Sequence, residues 1–449
     1  MCDSVLFKPL ETDQLRLQGD QFFGKLVLYG FLIWPFIWDN ANQMWHTAQL
    51  IHIPKPYLQV AEPLIIFAFS LYIILNSYKY RIDLKGDFVS YVYFIVLIGS
   101  ISVLMNGSIP RGAFQVIWKT VRPFLVLSIV MNLNLRKEYI YSVWRIIFAG
   151  AILNAIVVIY QFLVSNYYAD LAEGLMVDAH VLSNYMFMVI FFIVCMLYID
   201  FKKHRKLLLT LPFLMFSALV GSHEKAIIVG SGTLTVFSFT SLILKRGAVG
   251  KVLGVILSVL LLLGTYESVL NFYPKVIERF EILVRTPRQI GVIRGWWDLL
   301  TMFTQNPRYI LWGLGPGRGG SLYAITHEVE GRSQWGDELY REWNIMSRSA
   351  WIYGIKMATV RTSVFLGILS EFGLLGLFVL FLAFKKLAIK ISRICKTETD
   401  VSWIALGWIL SFTFVVIMGF INISAGYNAQ SNIFPLMVLG GLLWNRDQK

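Results

Sequence analysis

Charged residues are scarce in this chain, and their scarcity excludes an ordinary soluble domain. They make up 15% of the 449 residues, whereas roughly 25% is usual in soluble proteins. Hydrophobic residues account for 57%, which indicates a polytopic helical membrane protein. Only three cysteines are present, Cys2, Cys195 and Cys395, and they are scattered along the sequence. They predict neither a disulfide framework nor a metal site.

Signatures of common soluble catalysts are missing as well. The sequence shows no zinc-type ligand cluster, no Ser-His-Asp pattern and no P-loop, and its six histidines are dispersed. We therefore expect no cofactor and no metal, and a substrate that carries its own leaving group. The net charge of +13 would suit nucleic acid, but it is distributed over connections between apolar runs. We expect no nucleic-acid partner.

Apolar runs long enough to cross a hydrocarbon core of roughly 30 Å recur along the chain. The predicted spans are 23–39, 57–77, 88–105, 112–134, 141–165, 184–200, 207–222, 226–244, 251–266, 363–384, 402–421 and 430–445. The expected fold class is an all-α polytopic membrane protein with about twelve transmembrane helices. Its expected parts are an N-terminal bundle (1–266), a large loop with short helices (267–362) and a C-terminal bundle (363–449).

Lysine and arginine positions predict the orientation in the membrane. If the N-terminus is cytoplasmic, the short outer connections hold only Lys55, Arg111 and Lys225. The inner connections then hold basic runs such as DFKKHRK and KKLAIKISRICK. Short basic loops favour the cytoplasmic side. We therefore predict that both termini are cytoplasmic and that the loop 267–362 lies outside.

The large loop is rich in arginine. It contains ten arginines but only two lysines, Lys275 and Lys356, against nine acidic residues. Arginine offers a planar fork of donors that fits phosphate or carboxylate. These arginines either anchor the loop at lipid headgroups or hold an anionic substrate at the membrane surface. Arg294 and Asp298, four residues apart, form either an exposed ion pair or a unit in which Asp298 orients Arg294 towards a ligand.

An amphipathic helix and a glycine-rich turn follow one another in this loop. Apolar residues at helical spacing predict a helix on or near the membrane surface. They are Ile293, Trp296 or Trp297, Leu300 and Phe303. The helix is expected to stop near Pro307, before a turn that contains Gly313, Gly315 and Gly317. Glycine permits close backbone approach, so we interpret this segment as a tight, ligand-accessible turn.

Ionisable residues also fall inside the predicted spans or at their edges. Charges at membrane depth are costly, so each is a functional hypothesis. The residues are Glu62, Lys119, Arg122, Arg145 and Glu371. Lys119 and Arg122 either contact a headgroup or pyrophosphate or take part in a structural pairing. Arg145 is expected to extend to the cytoplasmic surface, and Glu371 is either a functional acid or a helix-packing one.

Two segments carry a resemblance to a known family. The first, RGWW…NPRYILWGLGPG, places Arg, Trp, Pro and G-x-G-x-G at Arg294, Trp297, Pro307, Gly313, Gly315 and Gly317. In the second, RTSVFLGILSEFGLLGLF, Ser363 is followed after nine residues by Gly373 and Gly376. With about twelve spans and one large loop before the last three, these segments resemble the O-antigen polymerase and ligase superfamily of bacterial inner-membrane proteins, which includes Wzy-like members.

Two departures from the family pattern bear on the activity. Ligases carry a histidine, thought to help activate the acceptor hydroxyl, where this chain has Thr362. Threonine cannot act as a general base near neutral pH, so the departure favours a polymerase over a ligase that passes a glycan to lipid A-core. In GSHEKA, where relatives often carry Ser-Arg, His223 or Lys225 would supply the positive charge. Lys225 either meets a phosphate there or pairs with Glu224.

The resemblance implies a periplasmic glycosyltransferase that needs neither metal nor nucleotide. Its donor would be an oligosaccharide linked through pyrophosphate to a polyprenyl lipid, and the lipid pyrophosphate would leave. Implied partners are membrane lipid, a flippase and chain-length regulator proteins. The implied catalytic residues are Arg294, Arg361 and Glu371. The implied pyrophosphate ligands are Arg294, Arg318, Lys225, His223 and Arg122.

Other assignments stay open at this point. Asp337, Glu338, Glu342 and His327 in the loop are further candidates for the base, and the sequence does not rank them. A secondary transporter is the alternative from a different class, with Glu62 and Glu371 as coupling carboxylates. Transporters usually show repeated halves with matched interruptions of their spans, and we find no such internal repeat.

Overall fold

The protein is helical throughout nearly all of its described length. The computed structural model describes residues 10–41, 50–53, 55–80, 87–106, 110–133, 135–136, 138–165, 172, 174–176, 179–220, 224–244, 296–297, 299–301, 303–304, 307–316, 351–352, 355–356, 363–421 and 430–445. The helices are α1 Leu10–Ala41, α2 Lys55–Tyr80, α3 Asp87–Asn106, α4 Pro110–Asn132, α5 Glu138–Ser165, α6 Ala179–Ile199, α7 Phe201–His204, α8 Thr210–Val220, α9 Glu224–Leu244, α10 Arg308–Trp312, α11 Val364–Thr397, α12 Ser402–Ile421 and α13 Gln430–Trp444. A 3₁₀ segment, Arg205–Leu209, joins α7 to α8, and Trp351–Ile352 pairs antiparallel with Ile355–Lys356.

The apolar helices make this chain a multi-pass membrane protein. Within the described residues, seven helices are long and apolar enough to cross a membrane. They contain the segments Phe22–Ala41, Phe88–Asn106, Ala113–Asn132, Glu138–Val164, Val181–Ile199, Val364–Thr397 and Ser402–Ile421. Eleven of the twelve predicted spans coincide with helices, and the remaining one, 251–266, lies outside the described residues.

Two helices form the interior of the bundle. All residues of α13 are buried, and 89% of the apolar stretch of α6 is buried. In the corresponding stretches of α3 and α5, only 28% and 33% of the residues are buried. Outer helices can expose leucine and phenylalanine in a membrane because lipid tails are as apolar as these side chains. We therefore interpret α3 and α5 as facing lipid and α6 and α13 as facing protein.

Buried polar residues concentrate in one half of the bundle. This half, named here the polar half, contains the ends at which α1, α3 and α5 finish and α2, α4, α6, α11 and α13 begin. Its buried polar residues, including some near the middle of the bundle, are Asp39, Asn40, Glu62, Ser102, Thr120, Arg122, Asn154, Gln161, Ser183, Asn184, Ser217, Ser231, Ser363, Ser370, Glu371, Gln430, Ser431 and Asn432. Buried polar groups in an apolar surrounding are costly, so their concentration marks this half as the place to search for a site.

The opposite half carries lysines above aromatic rings. The Lys390 ammonium lies 5.3 Å from the centre of the Trp444 ring, and Lys25 lies 5.7 Å from that of Tyr139. Lysines and aromatic rings of this kind are typical of the boundary between membrane and water. Arg145 is exposed near the same end of α5, as expected for a side chain that extends to the surface.

Candidate functional site

The glycine turn of the large loop binds a break in α11. Gly373 has φ 66° and ψ −168°, so α11 consists of two helices joined at that residue. Because the break interrupts the helical hydrogen bonds, the carbonyl oxygens of the preceding turn can accept from elsewhere. The Leu314 N–H donates to the Ser370 carbonyl at 2.7 Å, and the Gly315 N–H donates to the Glu371 carbonyl at 3.1 Å.

Glycine is required on both sides of this contact. A Cβ on Gly373 would lie 2.2 Å from the carbonyl oxygen of Leu311, and a Cβ on Gly313 would lie 2.5 Å from the carbonyl carbon of Glu371. Both glycines also have positive φ, which other residues rarely adopt. The two backbones therefore touch only because neither position carries a side chain.

Helix α3 holds the turn from the other side. The Ser102 hydroxyl donates to the carbonyl of Trp312 at 2.7 Å, and the Asn106 amide donates to the carbonyl of Gly313 at 3.3 Å. A Cβ on Gly99, one turn earlier on α3, would lie 3.0 Å from the Phe372 ring. Small residues on this face of α3 thus allow α11 to approach closely and leave room for the turn.

Apolar contacts join the helical residues of 296–304 to the same end of the bundle. The shared cluster contains Leu299, Phe303, Tyr309, Leu314, Leu366 and Leu369. Trp296 stacks on Phe420 of α12 with ring centres 6.1 Å apart. Trp297 and Leu300 are 53% and 54% exposed, so the buried stripe runs through Trp296 and Leu299. The sequence left Trp296 and Trp297 as alternatives, and of the two Trp296 is the one that packs against the bundle.

Ser363 has a structural role at the start of α11. Its hydroxyl accepts a hydrogen bond from the Leu366 N–H at 3.2 Å, as an N-cap, and donates to the Gly419 carbonyl at 2.9 Å. Ser363 is fully buried, and these two bonds attach the start of α11 to α12. The serine of the second family-like segment therefore fixes the helix that carries Gly373 and Gly376.

A buried ion pair lies in the middle of the bundle. One terminal nitrogen of Arg122 is 3.0 Å and 3.1 Å from the two carboxylate oxygens of Glu62. The Gln430 amide donates to the same carboxylate at 2.6 Å, and the Arg122 guanidinium lies 5.8 Å from the Phe434 ring centre. This group joins α2, α4 and α13. Arg122 therefore takes part in a structural pairing, one of its two interpretations.

Lys119 and Glu371 complete the charged part of the site. Lys119 interacts electrostatically with Glu62 on α2, with Arg122 on its own helix and with Glu371 on α11. Its side chain is exposed, although Val116 and Arg122, about one turn away on the same face of α4, are buried. Glu371 is 1% exposed. Its backbone binds the glycine turn and its carboxylate acts on Lys119, so one residue connects the loop to the charged interior.

Several buried polar side chains in the polar half have no hydrogen-bond partner among the described residues. Both polar atoms of the Asn184 and Asn432 side chains have no hydrogen bond to the described residues, nor do the Ser431 hydroxyl and the Gln430 carbonyl oxygen. Buried polar groups of this kind are satisfied by water or by a ligand. They lie near the beginnings of α6 and α13, in the polar half.

The structure brings together only some of the predicted site residues. Gly313, Gly315, Gly373 and Glu371 lie at the contact just described, and Gly376 lies against Phe372 on α11. Lys225 is the second residue of α9, and its side chain lies outside the described part. Also outside it are Arg294, Arg318, Arg361, His223, Gly317, Thr362, Asp298, His327, Asp337, Glu338 and Glu342.

Sequence reasoning overlooked four polar side chains of the site. They are Ser102, Asn106, Asn184 and Asn432. The sequence contained a signal for these four side chains, because each is an uncharged polar residue within or beside an apolar run. Among the described residues, no group of three or more His, Cys, Asp or Glu could hold a metal ion.

No protein-family model matches this chain, and no curated protein matches it.

Proposed function

We propose that this protein is a glycosyltransferase that joins lipid-linked oligosaccharide repeat units into a surface polysaccharide. It would act as an O-antigen, capsule or exopolysaccharide polymerase of the Wzy-like kind in the bacterial inner membrane. In this proposal both termini are cytoplasmic, the segment 267–362 is periplasmic, and the polar half of the bundle faces the periplasm. The donor is a polyprenyl-pyrophosphate-linked oligosaccharide, and no metal or nucleotide takes part.

The observation that carries the proposal is the contact between the glycine turn and the Gly373 break. These two segments lie about sixty residues apart in the chain, and they are the segments in which the sequence resembles the polymerase and ligase superfamily. Their reciprocal glycine requirement gives the resemblance a physical reason. The contact also lies in the polar half, beside Glu371 and the buried amides, where a hydrophilic substrate finds hydrogen-bonding groups.

The proposed chemistry transfers a sugar from a diphosphate to a hydroxyl. The bond between the anomeric carbon and the diphosphate oxygen breaks, and a hydroxyl of the acceptor glycan forms the new glycosidic bond. The hydroxyl proton is transferred to a base, for which Glu371 is our candidate. Negative charge builds up on the leaving lipid diphosphate, and Arg294 and Arg361 stabilise it. Arginine serves this role well because its planar donors fit phosphate oxygens.

The direct test measures chain extension by the Arg294→Ala variant. Purified protein in vesicles receives a polyprenyl-pyrophosphate-linked repeat unit, and the products are separated by length. Wild type should give a ladder, and the variant should lose at least about a hundredfold in rate, the usual effect of removing one such donor. Arg308→Ala is the matched control, because the Arg308 guanidinium lies over the Tyr309 ring in the same loop.

Two outcomes would contradict the proposal. Equal ladders from wild type and Arg294→Ala would remove this arginine from the mechanism. A single transfer to lipid A-core without elongation would assign the protein to the ligases. Reporter fusions at residue 320 test the orientation, and a cytoplasmic location for that residue is incompatible with catalysis on the outer face.

A further inference from the structure

Lys119 is an accessible cation on the buried face of α4, within the part of the chain that the structure describes. No hydrogen bond or ion pair joins its ammonium group to another described residue. The nearby carboxylate of Glu62 is already bound by Arg122 and Gln430. A charged lysine at membrane depth is costly and needs a compensating partner. Glu371 is near Lys119 but forms no ion pair with it, so among the described residues the ammonium group is left to bind a further anion.

The location of Lys119 differs from that of a lysine whose side chain extends to the lipid surface. It lies nine residues after the start of α4, about 14 Å along the helix axis. Glu371 lies eight residues after Ser363, at a similar depth of about 12 Å. Lys119 interacts with acids on α2 and on α11, which come from two different helices packed around α4. Its ammonium group therefore faces the interior of the bundle.

We infer that the Lys119 ammonium binds a phosphate group of a lipid whose headgroup enters the polar half. The buried amides of Asn184 and Asn432 give this interior further donors and acceptors. A lipid phosphate fits because it combines the charge that Lys119 requires with a tail that stays in the membrane. The inference deepens the proposed function and rests on it for the identity of the lipid, a polyprenyl diphosphate.

The test is binding of polyprenyl diphosphate to full-length protein in nanodiscs of phosphatidylcholine. Lys119→Met should weaken binding by about tenfold or more, the effect of losing one hydrogen bond to a charged group. Lys119→Arg keeps the charge and should retain most of the affinity. Lys25→Met is the matched control, since Lys25 lies over the Tyr139 ring in the opposite half. Neutral polyprenol should bind wild type and Lys119→Met equally.

A second measurement separates lost binding from lost folding. Removing an unpaired cation from the interior should leave the unfolding temperature of the unliganded protein unchanged or raise it. Unchanged stability with weakened binding supports the inference. Equal binding by wild type and Lys119→Met overturns it. Competition by inorganic pyrophosphate or by phosphatidylglycerol as strong as that by polyprenyl diphosphate overturns the polyprenyl lipid as the occupant.

Failure of this inference can be distinguished from failure of the proposed polymerase function. If Arg294→Ala stops chain extension while Lys119→Met binds normally, the inference fails and the polymerase stands. If binding depends on Lys119 but wild type produces no polymer from lipid-linked repeat units, the lipid-phosphate site stands and the polymerase fails.

Discussion

Replacing Gly373 by alanine should release the glycine turn from the bundle. Alanine at φ 66° and ψ −168° is strained by about 1–3 kcal/mol, because this region is essentially limited to glycine. Its Cβ would also meet the Leu311 carbonyl oxygen at 2.2 Å. Both costs disappear if α11 closes into a regular helix. Closure takes the carbonyls of Ser370 and Glu371 away from the turn.

The size of the effect follows from these contributions. The two hydrogen bonds are lost on undocking in wild type and variant alike, so the substitution acts through the strain of the docked backbone, about 1–3 kcal/mol, and through the Cβ contact, which adds to it. That is a shift of about fivefold to a hundredfold or more in the docking equilibrium towards the undocked turn. The undocked fraction should therefore rise by that factor in Gly373→Ala.

The assay follows the accessibility of residue 314 in the membrane. Leu314 is 1% exposed, so the thiol of a Leu314→Cys variant lacking the three native cysteines should react slowly with a maleimide. In the Gly373→Ala background this thiol should react faster, and chain extension should fall. Gly232→Ala is the control, because nothing lies within 4 Å of the added Cβ. If the thiol at position 314 stays protected and extension is unchanged in Gly373→Ala, the docking argument is refuted.

Two further predictions concern stability. Glu62→Leu leaves Arg122 buried without its carboxylate and should lower the free energy of unfolding by about 3–5 kcal/mol, and adding Arg122→Met should recover most of it in detergent unfolding. Absence of recovery in the double variant would refute a pairwise interaction. Burial, followed by the charge of Lys203, lowers the pKa of His204 in the connection after α6. His204 therefore binds a proton less readily in the folded protein than in the unfolded chain. The stability that is present above about pH 6.5 is lost as the pH falls from about 6.5 through the lowered pKa of His204. His204→Gln should reduce that loss, and an unchanged pH profile would contradict it.

Hydropathy predicted the helices well because every backbone group in lipid must bond within its own segment. The boundaries were less accurate where a helix outlasts the hydrocarbon. The predicted span 363–384 corresponds to α11, which continues to Thr397. Its last part buries Leu387, Ile391 and Ile394 between basic residues, as an amphipathic helix does. A search for continuous apolar runs stops before such an extension.

The contact between loop and bundle could not be predicted from local patterns. Glycine at 373 matched a family-like spacing, but nothing near it in the sequence shows that the backbone bends there to receive the turn. The Ser102 and Asn106 side chains bind carbonyls more than two hundred residues away. Such pairing depends on the packing of α3 against α11. Small residues such as Gly99 permit that packing, but the sequence does not show which helix they contact.

Glu371 allows loop docking and charge to be separated in one experiment. Its backbone carbonyl binds the glycine turn, whereas its carboxylate acts on Lys119. Glu371→Gln keeps the backbone and nearly the same shape, so the thiol introduced by Leu314→Cys should stay protected from maleimide. Removal of the negative charge should strengthen binding of polyprenyl diphosphate beside Lys119, because like charges no longer oppose each other.

Chain extension should nevertheless fall in the same variant, since glutamine cannot accept the proton of the acceptor hydroxyl. Tighter binding with slower extension has no explanation in a packing defect, which would weaken both. If extension is unchanged while binding increases, Glu371 only moderates the charge around Lys119 and the base is another residue. If the introduced thiol becomes reactive in Glu371→Gln, the carboxylate is needed for docking itself, and the separation of its two roles is wrong.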